Sequence, residues 1–291
     1  MGKFILSFKR KGTIPPVTPD QPETPSGSDL VSLGILTKPI AEFSNSDVGT
    51  TVLIPYNDPT GKILLNNGNI EFEVVGVNHH TNSEHSQTIT LMTKNIIRNA
   101  AFDAKEPNNP DSNRRDFGNN RWSVSNIRQW LNSPAAAAAG SWFNAEKTHA
   151  YDAAPTTDKV YGNEAGAYAA DPGFLAGFSA GVLQHFTDVT NTTFMPYIDT
   201  DGYEITETTI DKVFLPSFTE MFGSGSEGSQ LAKFNDTDSR KKSGQSTSYW
   251  TRSRSSSDFR TVTYVDGDGG YNLDDTPYNG SYGIAPIIVL H

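Results

Sequence analysis

Asp266 and Asp268 stand two residues apart, so on a strand they would project from one face, as a glycan-processing pair of carboxylates does. Gly269 and Gly270 follow directly, and that composition favours a turn over a catalytic strand. His79, His80 and His85 fall in one segment with Glu84, enough donors for a metal site in principle. The segment is an expected hairpin tip, which rarely fixes three ligands, so a hydrated loop is the reading and no metal is expected. Gly177-Phe178-Ser179-Ala180-Gly181 has the pattern of a nucleophile elbow. An elbow needs a strand before its serine, and this one falls inside an expected helix. Asp199 and Asp201 lack the spacing of a calcium loop and read as part of a turn. The chain has no cysteine, which removes disulfides, zinc–thiolate sites and thiol nucleophiles. No catalytic residue, enzyme activity or cofactor is expected.

The stronger chemistry is that of binding. Between Arg254 and Tyr282 the chain is almost wholly polar, small or Tyr. Tyr supplies rigid amphipathic area, and Ser, Gly and Asn supply adaptable hydrogen bonds, as in a paratope. The candidate ligand-binding residues are Arg254, Ser256, Asp258, Arg260, Tyr264, Asp266, Asp268, Tyr271, Asn272, Asp274, Tyr278, Asn279 and Tyr282. Phe259 is a further aromatic in the stretch, whereas Val262 and Val265 are expected to face inward. The segment is expected to be mostly exposed. The alternative is a long solvated loop between two core strands.

The elements that must position this stretch are legible on either side of it. Tyr249-Trp250-Thr251-Arg252-Ser253 reads as a strand with one aromatic anchor, and Ile287 to Leu290 as a strand buried on both faces. Upstream, Thr51–Pro55, Ile70–Val77 and Thr88–Thr93 read as strands, the last two pairing across residues 78–87. A helix is expected after Trp122, with Ser123 as N-cap, Val124, Ile127, Trp130 and Leu131 as its stripe, and Asn132-Ser133-Pro134 as its stop. Asp171-Pro172 opens a second expected helix, with Leu175, Phe178, Val182 and Phe186 on one side. Thr193 to Ile210 reads as a hairpin turning at Asp201-Gly202, and Asp211 to Pro216 as a strand. Ser217 to Glu220 fits a capping box for a short helix ending at Gly223. The fold class is α+β.

Composition bounds the partners. The formal net charge is -10 over 291 residues, which argues against nucleic acid. No apolar run approaches the roughly 20 residues that span a bilayer, so no membrane insertion is expected. Phe4 to Phe8 is too short for a secretory signal core and is cut off by Lys9-Arg10-Lys11, which points to assembly in a cytoplasm. Residues 1–28 combine this basic strand candidate with a spacer holding Pro15, Pro16, Pro19, Pro22 and Pro25. Such a segment is extended and core-poor, and reads as an anchor to a partner or a neighbouring subunit, or as a frayed terminus. Residues 29–291 form the expected domain.

The order of these motifs resembles a known family. Leu91-Met92, Arg121-Trp122-Ser123 through Trp130-Leu131-Asn132-Ser133, Gly173-Phe174-Leu175, Asp211 to Ser217 with Glu220, Tyr249 to Ser253, and Gly283-Ile284-Ala285-Pro286 recur together in a domain family of gut bacteria and their phages. That family has a C-type-lectin-like fold, related to formylglycine-generating enzyme and to the variable proteins of diversity-generating retroelements. The resemblance implies twisted antiparallel sheets, two flanking helices and long loops. The enzyme relationship extends to fold alone, since its chemistry depends on cysteines. The variable proteins display ligand-contacting residues where Arg254 to Tyr282 lies here. Randomised Asn codons yield the residue types that dominate this stretch, although ordinary loops share them. Glu106-Pro107-Asn108 matches the sugar-selecting tripeptide of calcium-dependent animal lectins, but it precedes the helices and the Trp-Asn-Asp partner is missing, so it reads as coincidence. The resemblance implies a receptor-binding or adhesion protein on the surface or tail of a phage virion. Its partners would be a host cell-surface protein or glycan, and other virion proteins through residues 1–28. A homo-oligomer is expected. A bacterial surface adhesin and a purely structural virion protein are the alternatives.

Overall fold

Every residue of the terminal run Ile287–Leu290 is fully buried. The surrounding sheet explains why. The computed structural model describes residues 28–136, 141–162, 164–194, 206–255 and 260–291. In chain order the strands are β1 (Thr51–Pro55), β2 (Asn69–Val77), β3 (Ile89–Thr93), β4 (Arg98–Asn99), β5 (Val189–Phe194), β6 (Thr206–Asp211), β7 (Val213–Phe214), β8 (Tyr249–Arg254), β9 (Val262–Val265), β10 (Tyr271–Asp275), β11 (Gly283–Ile284) and β12 (Ile287–Leu290). The α-helices are short: α1 (Ser28–Ser32), α2 (Ser112–Phe117), α3 (Asn126–Leu131), α4 (Ser141–Glu146), α5 (Ala180–Leu183), α6 (Phe218–Phe222) and α7 (Thr237–Arg240). This is an α+β protein.

One sheet has the order β1-β2-β3-β12-β7, with every pairing antiparallel. The apolar run of β12 is therefore interior, hydrogen-bonded on both edges and covered on both faces. The β2–β3 hairpin forms as its alternation predicts, with a bulge between Val74 and Gly76 that turns both Val74 and Val75 inward. A second sheet has the order β10-β9-β8-β11-β4, antiparallel except for β11 against β8. The pair β5–β6 runs in continuous register from Val189–Asp211 to Phe194–Thr206. Its expected turn at Asp201-Gly202 lies outside the described residues, as do residues 1–27 of the expected anchor.

The tryptophans anchor the packing between these elements. All four are buried, and each indole N–H finds an acceptor: Asp211 Oδ2 for Trp122 (3.0 Å), Pro172 O for Trp130 (2.8 Å), Tyr168 O for Trp142 (3.1 Å) and Ala100 O for Trp250 (2.8 Å). Burying an indole without such a partner would cost part of what its area contributes.

Two expected helices are interrupted, the second for a tertiary reason. After Trp122 the chain makes a 3-10 turn, Trp122–Val124, and α3 begins only at Asn126. Its N-cap is Ser125 rather than Ser123, and Ser125 Oγ accepts from Arg128 N at 3.4 Å. Beyond Asp171-Pro172 there is a 3-10 turn at Phe174–Gly177 and then α5. The interruption lies at Gly177. Its carbonyl accepts from Asn57 N at 2.8 Å, and a Cβ there would sit 2.2 Å from the Tyr56 ring. The expected apolar residues Leu175, Phe178, Val182 and Phe186 are all buried regardless. Ser179 is the N-cap of α5, preceded by a 3-10 turn and not by a strand.

The expected strand Asp211–Pro216 is also divided. Asn132 Oδ1 accepts from both Lys212 N (2.9 Å) and Val213 N (3.1 Å), taking donors a ladder would use. Asp211 thus closes β6 and Val213 opens β7 in another sheet. The capping box at α6 forms as read: Ser217 Oγ accepts from Glu220 N at 3.0 Å, Ser217 N donates to Glu220 Oε2 at 2.8 Å, and Gly223 ends the helix at φ 73.

Candidate ligand-binding cleft

Strand alternation and register sort the Tyr-rich segment into inward and outward residues. Tyr264 pairs across the second sheet with Trp250 on one side and Asn272 on the other, while Tyr271 pairs with Val265. Opposed residues share a face and neighbours along a strand do not. Tyr264 and Tyr271 therefore point to opposite sides. Tyr264 is only 9% exposed, with its ring 6.2 Å from Trp250 and 4.4 Å from Tyr282. Tyr282 is half-buried on the same Trp250 ring at 4.6 Å. The expectation of a mostly exposed segment thus fails: residues 254–255 and 261–265 are buried, β9 being an interior strand, and among the described residues of the segment only 260, 267, 268, 271 and 281 are exposed. Val262 and Val265 are buried, as expected.

Tyr271 is the outward member. It is 51% exposed, yet its ring is held edge-on by Phe218 (4.8 Å) and Phe222 (5.2 Å) of α6. Tyr271 and Leu273 alternate on β10, and with Thr263 they line a cleft of about 430 Å³. The opposite wall is the segment 224–227 with Phe218 and Thr219, and Ser253 and Arg254 of β8 also line the cleft. Arg254 is only 5% exposed there. Glu227 is buried too, and its carboxylate accepts a hydrogen bond from the Ser253 hydroxyl. The loop is fixed by its backbone: Glu227 N donates to Thr219 Oγ1 at 3.1 Å, and Ser217 Oγ donates to Glu227 O at 3.0 Å. A volume of this size, with an aromatic rim and a few convergent polar groups, suits a small ligand.

Beside the cleft lies a buried ionic network. Arg252 Nη1 donates to Glu220 Oε2 at 2.7 Å and to Leu215 O at 2.8 Å, and Nη2 donates to Glu220 Oε1 at 2.9 Å. His80 Nε2 lies 3.0 Å from the same Oε1. Burial pushes the Glu220 carboxyl up, but Arg252 and then His80 outweigh it and hold it well below the usual carboxylate range. His79, His80 and Glu220 place ligand atoms within 4.8 Å of one another, which invites a metal reading. The donor set does not fit one. Glu220 already faces Arg252 twice, Ser217 N and His80, and a cation would sit beside the guanidinium. Glu220 is the carboxylate that sequence reasoning could not pair with the histidines, since Glu84 was the only nearby one.

The remaining sequence candidates separate into turn, second patch and undescribed positions. Asp266 Oδ1 accepts from the backbone N of Asp268 (3.0 Å) and Gly270 (2.9 Å), so this carboxylate serves the β9–β10 turn while Asp268 is exposed. Asn272 is half-buried, with Oδ1 accepting from Leu273 N at 2.7 Å. A second aromatic patch gathers Tyr278 with Tyr161 (5.7 Å) and Phe117 (6.3 Å), under Lys105 (4.6 Å from the Tyr278 ring) and the exposed Arg260 (5.8 Å from the Phe117 ring). Asn279 Oδ1 accepts from Ser281 N at 2.9 Å at its edge. Ser256, Asp258 and Phe259 lie outside the described residues, as does the side chain of Asp274. Of the candidates, the structure brings Arg254 and Tyr271 together in one concavity. The cleft residues that sequence reasoning missed include Phe218 and Thr219 of α6 and Glu227 of the loop that follows it, all outside the stretch from Arg254 to Tyr282.

Glu106, of the sugar-selecting tripeptide, is buried and tied to Asn109 and, at 3.2 Å, His149. Its neighbour Asp103 is pushed well up by burial, then by Glu106 and Asp152.

These features define an α+β protein with a small cleft between an edge hairpin and a capped helix. The chain belongs to a family described as a domain of unknown function, DUF6273, matched over residues 86–291. The match begins before β3 and includes the whole cleft, while β1, β2 and His80 precede it. No curated protein and no solved structure matches the chain.

Proposed function

We propose that the chain is a receptor-binding or adhesion module of a phage particle, built on a C-type-lectin-like fold. The cleft beneath Tyr271 is its ligand site. The observation that carries this reading is a half-exposed tyrosine held rigid by Phe218 and Phe222 over a cleft walled by buried Arg254 and Glu227. Exposed aromatics cost area in water and concentrate binding energy when covered. The antiparallel sheets, interior β12 and short flanking helices agree with the lectin-like fold. On this reading the chain is not an enzyme, assembles in the host cytoplasm as a homo-oligomer, and joins other virion proteins through residues 1–28. The cleft meets a host-surface protein or glycan.

The test is twofold. Gold-labelled antibody against the chain should decorate purified phage particles at the surface or tail, and purified chain should attach to host cells. Label confined to the outside of bacterial cells makes the chain a bacterial adhesin instead. Label on particles without any attachment leaves a structural virion protein.

A further inference from the structure

Resting on that binding reading, we infer that the cleft takes a neutral pyranose residue of a glycan, directly and without a calcium ion. The first ground is shape. About 430 Å³ is the scale of one small ligand, whereas a protein partner needs on the order of 800 Å² of its own surface covered. The second is the rim. The half-exposed Tyr271 ring packs against two phenylalanines, so it offers apolar ring surface at a reduced ordering cost. A pyranose has such a face in its axial C–H groups. The third is the wall. Arg254 brings N–H donors and Glu227 a carboxylate acceptor to one lining, with the hydroxyls of Ser253 and Thr263. Donors and an acceptor in one cleft match vicinal hydroxyls, which both give and accept hydrogen bonds.

Charge narrows the class. Among the described residues the cleft lining carries one cation and one carboxylate, and the adjacent Arg252–Glu220 pair cancels itself, so they leave no net charge to select an acidic sugar. Topology disfavours an extended peptide. β10 is the edge of its sheet, but its register breaks between Asn272 and Asp275, and a bulged edge is a poor template for an added strand. The direct mode needs no calcium, since the described lining holds a single carboxylate, far short of the roughly six to eight oxygen ligands that ion takes.

The experiment uses saturation-transfer NMR on the full chain in EDTA. The probes are methyl glycosides of glucose, galactose, mannose and N-acetylglucosamine, and the sialosides of the same sugars. At least one neutral glycoside should bind. Tyr271→Ala should weaken that binding about tenfold or more, and Tyr271→Phe should restore most of it, because stacking needs the ring and not the hydroxyl. Glu227→Gln, checked by its melt, should weaken it without abolishing folding. Binding of none of the neutral glycosides, binding only with added calcium, preference for the sialosides, or indifference to Tyr271→Ala each overturns the inference. Cell attachment separates the two levels. If Tyr271→Ala abolishes attachment while no glycoside binds, the glycan class is wrong and the binding site stands. If attachment ignores Tyr271→Ala, the binding reading of the cleft falls with it.

Discussion

Glu220 and Arg252 meet as a two-pronged pair in the interior, with both side chains 2% exposed and contacts of 2.7 and 2.9 Å. The pair joins the capped first turn of α6 to the centre of β8. It thereby ties the helix under Tyr271 to the strand that carries Arg254. Removing one partner leaves a buried charge without compensation, which costs about 3–5 kcal/mol. Arg252→Ala should therefore lower the melting midpoint strongly, and Arg252→Ala with Glu220→Ala together should melt higher than the single change. Thermal melts of the three proteins check this. Equal destabilisation by the single and double changes contradicts a coupled pair.

Tyr264 and Tyr271 provide a second contrast. Tyr264→Ala empties a site against Trp250 and Tyr282 and should cost about 3 kcal/mol or more. Tyr271→Ala removes a half-exposed ring and should cost about 1 kcal/mol or less. Urea unfolding of both variants gives the comparison, and a reversed order would mean that the faces of β9 and β10 are exchanged.

Gly177 approaches Tyr56 too closely for any side chain, with a built Cβ 2.2 Å from Tyr56 Cζ. Gly177→Ala should destabilise by roughly 1–3 kcal/mol through overpacking. Tyr56→Ala with Gly177→Ala should recover part of the cost of Gly177→Ala measured on its own. If Gly177→Ala melts like the parent, the helix is broken there for another reason.

Acid should weaken the fold through three histidines, His79, His291 and His185, the last also lowered chiefly by burial. Burial lowers His79 and His291 to about 4, with His80 the next cause at His79 and His85 at His291. His291 stacks on His85 at 3.5 Å. A depressed folded value means that the stability contribution is present above the ordinary 6.5 and is lost as pH falls through about 4. The buried carboxyls of Asp103 and Asp152 are raised and act in the opposite direction, favouring the fold as pH falls. The melting midpoint should fall between pH 6.5 and 4, and His291→Gln should flatten that fall. A slope unchanged by His291→Gln and by His79→Gln assigns the acid sensitivity elsewhere.

What the sequence determined by itself was set by chain neighbours. Alternation defined β1, β2 and β3, an unbroken apolar run marked β12 as interior, and Ser217 with Glu220 announced a helix start, because each signal acts within a few residues of backbone. What only the tertiary structure decided depended on distant partners. Glu220 is satisfied by Arg252 and by His80, which stands 140 residues away, and no local pattern encodes that meeting. The second helix was broken at Gly177 by Asn57 and Tyr56, and the strand from Asp211 to Pro216 was divided by Asn132, contacts that local periodicity could not register. The same holds for the candidate site. Composition marked residues 254–282 as a binding stretch, but which tyrosine faces a ligand follows from strand register. A shift of one residue exchanges the faces, and the register is fixed by packing on Trp250 and α6.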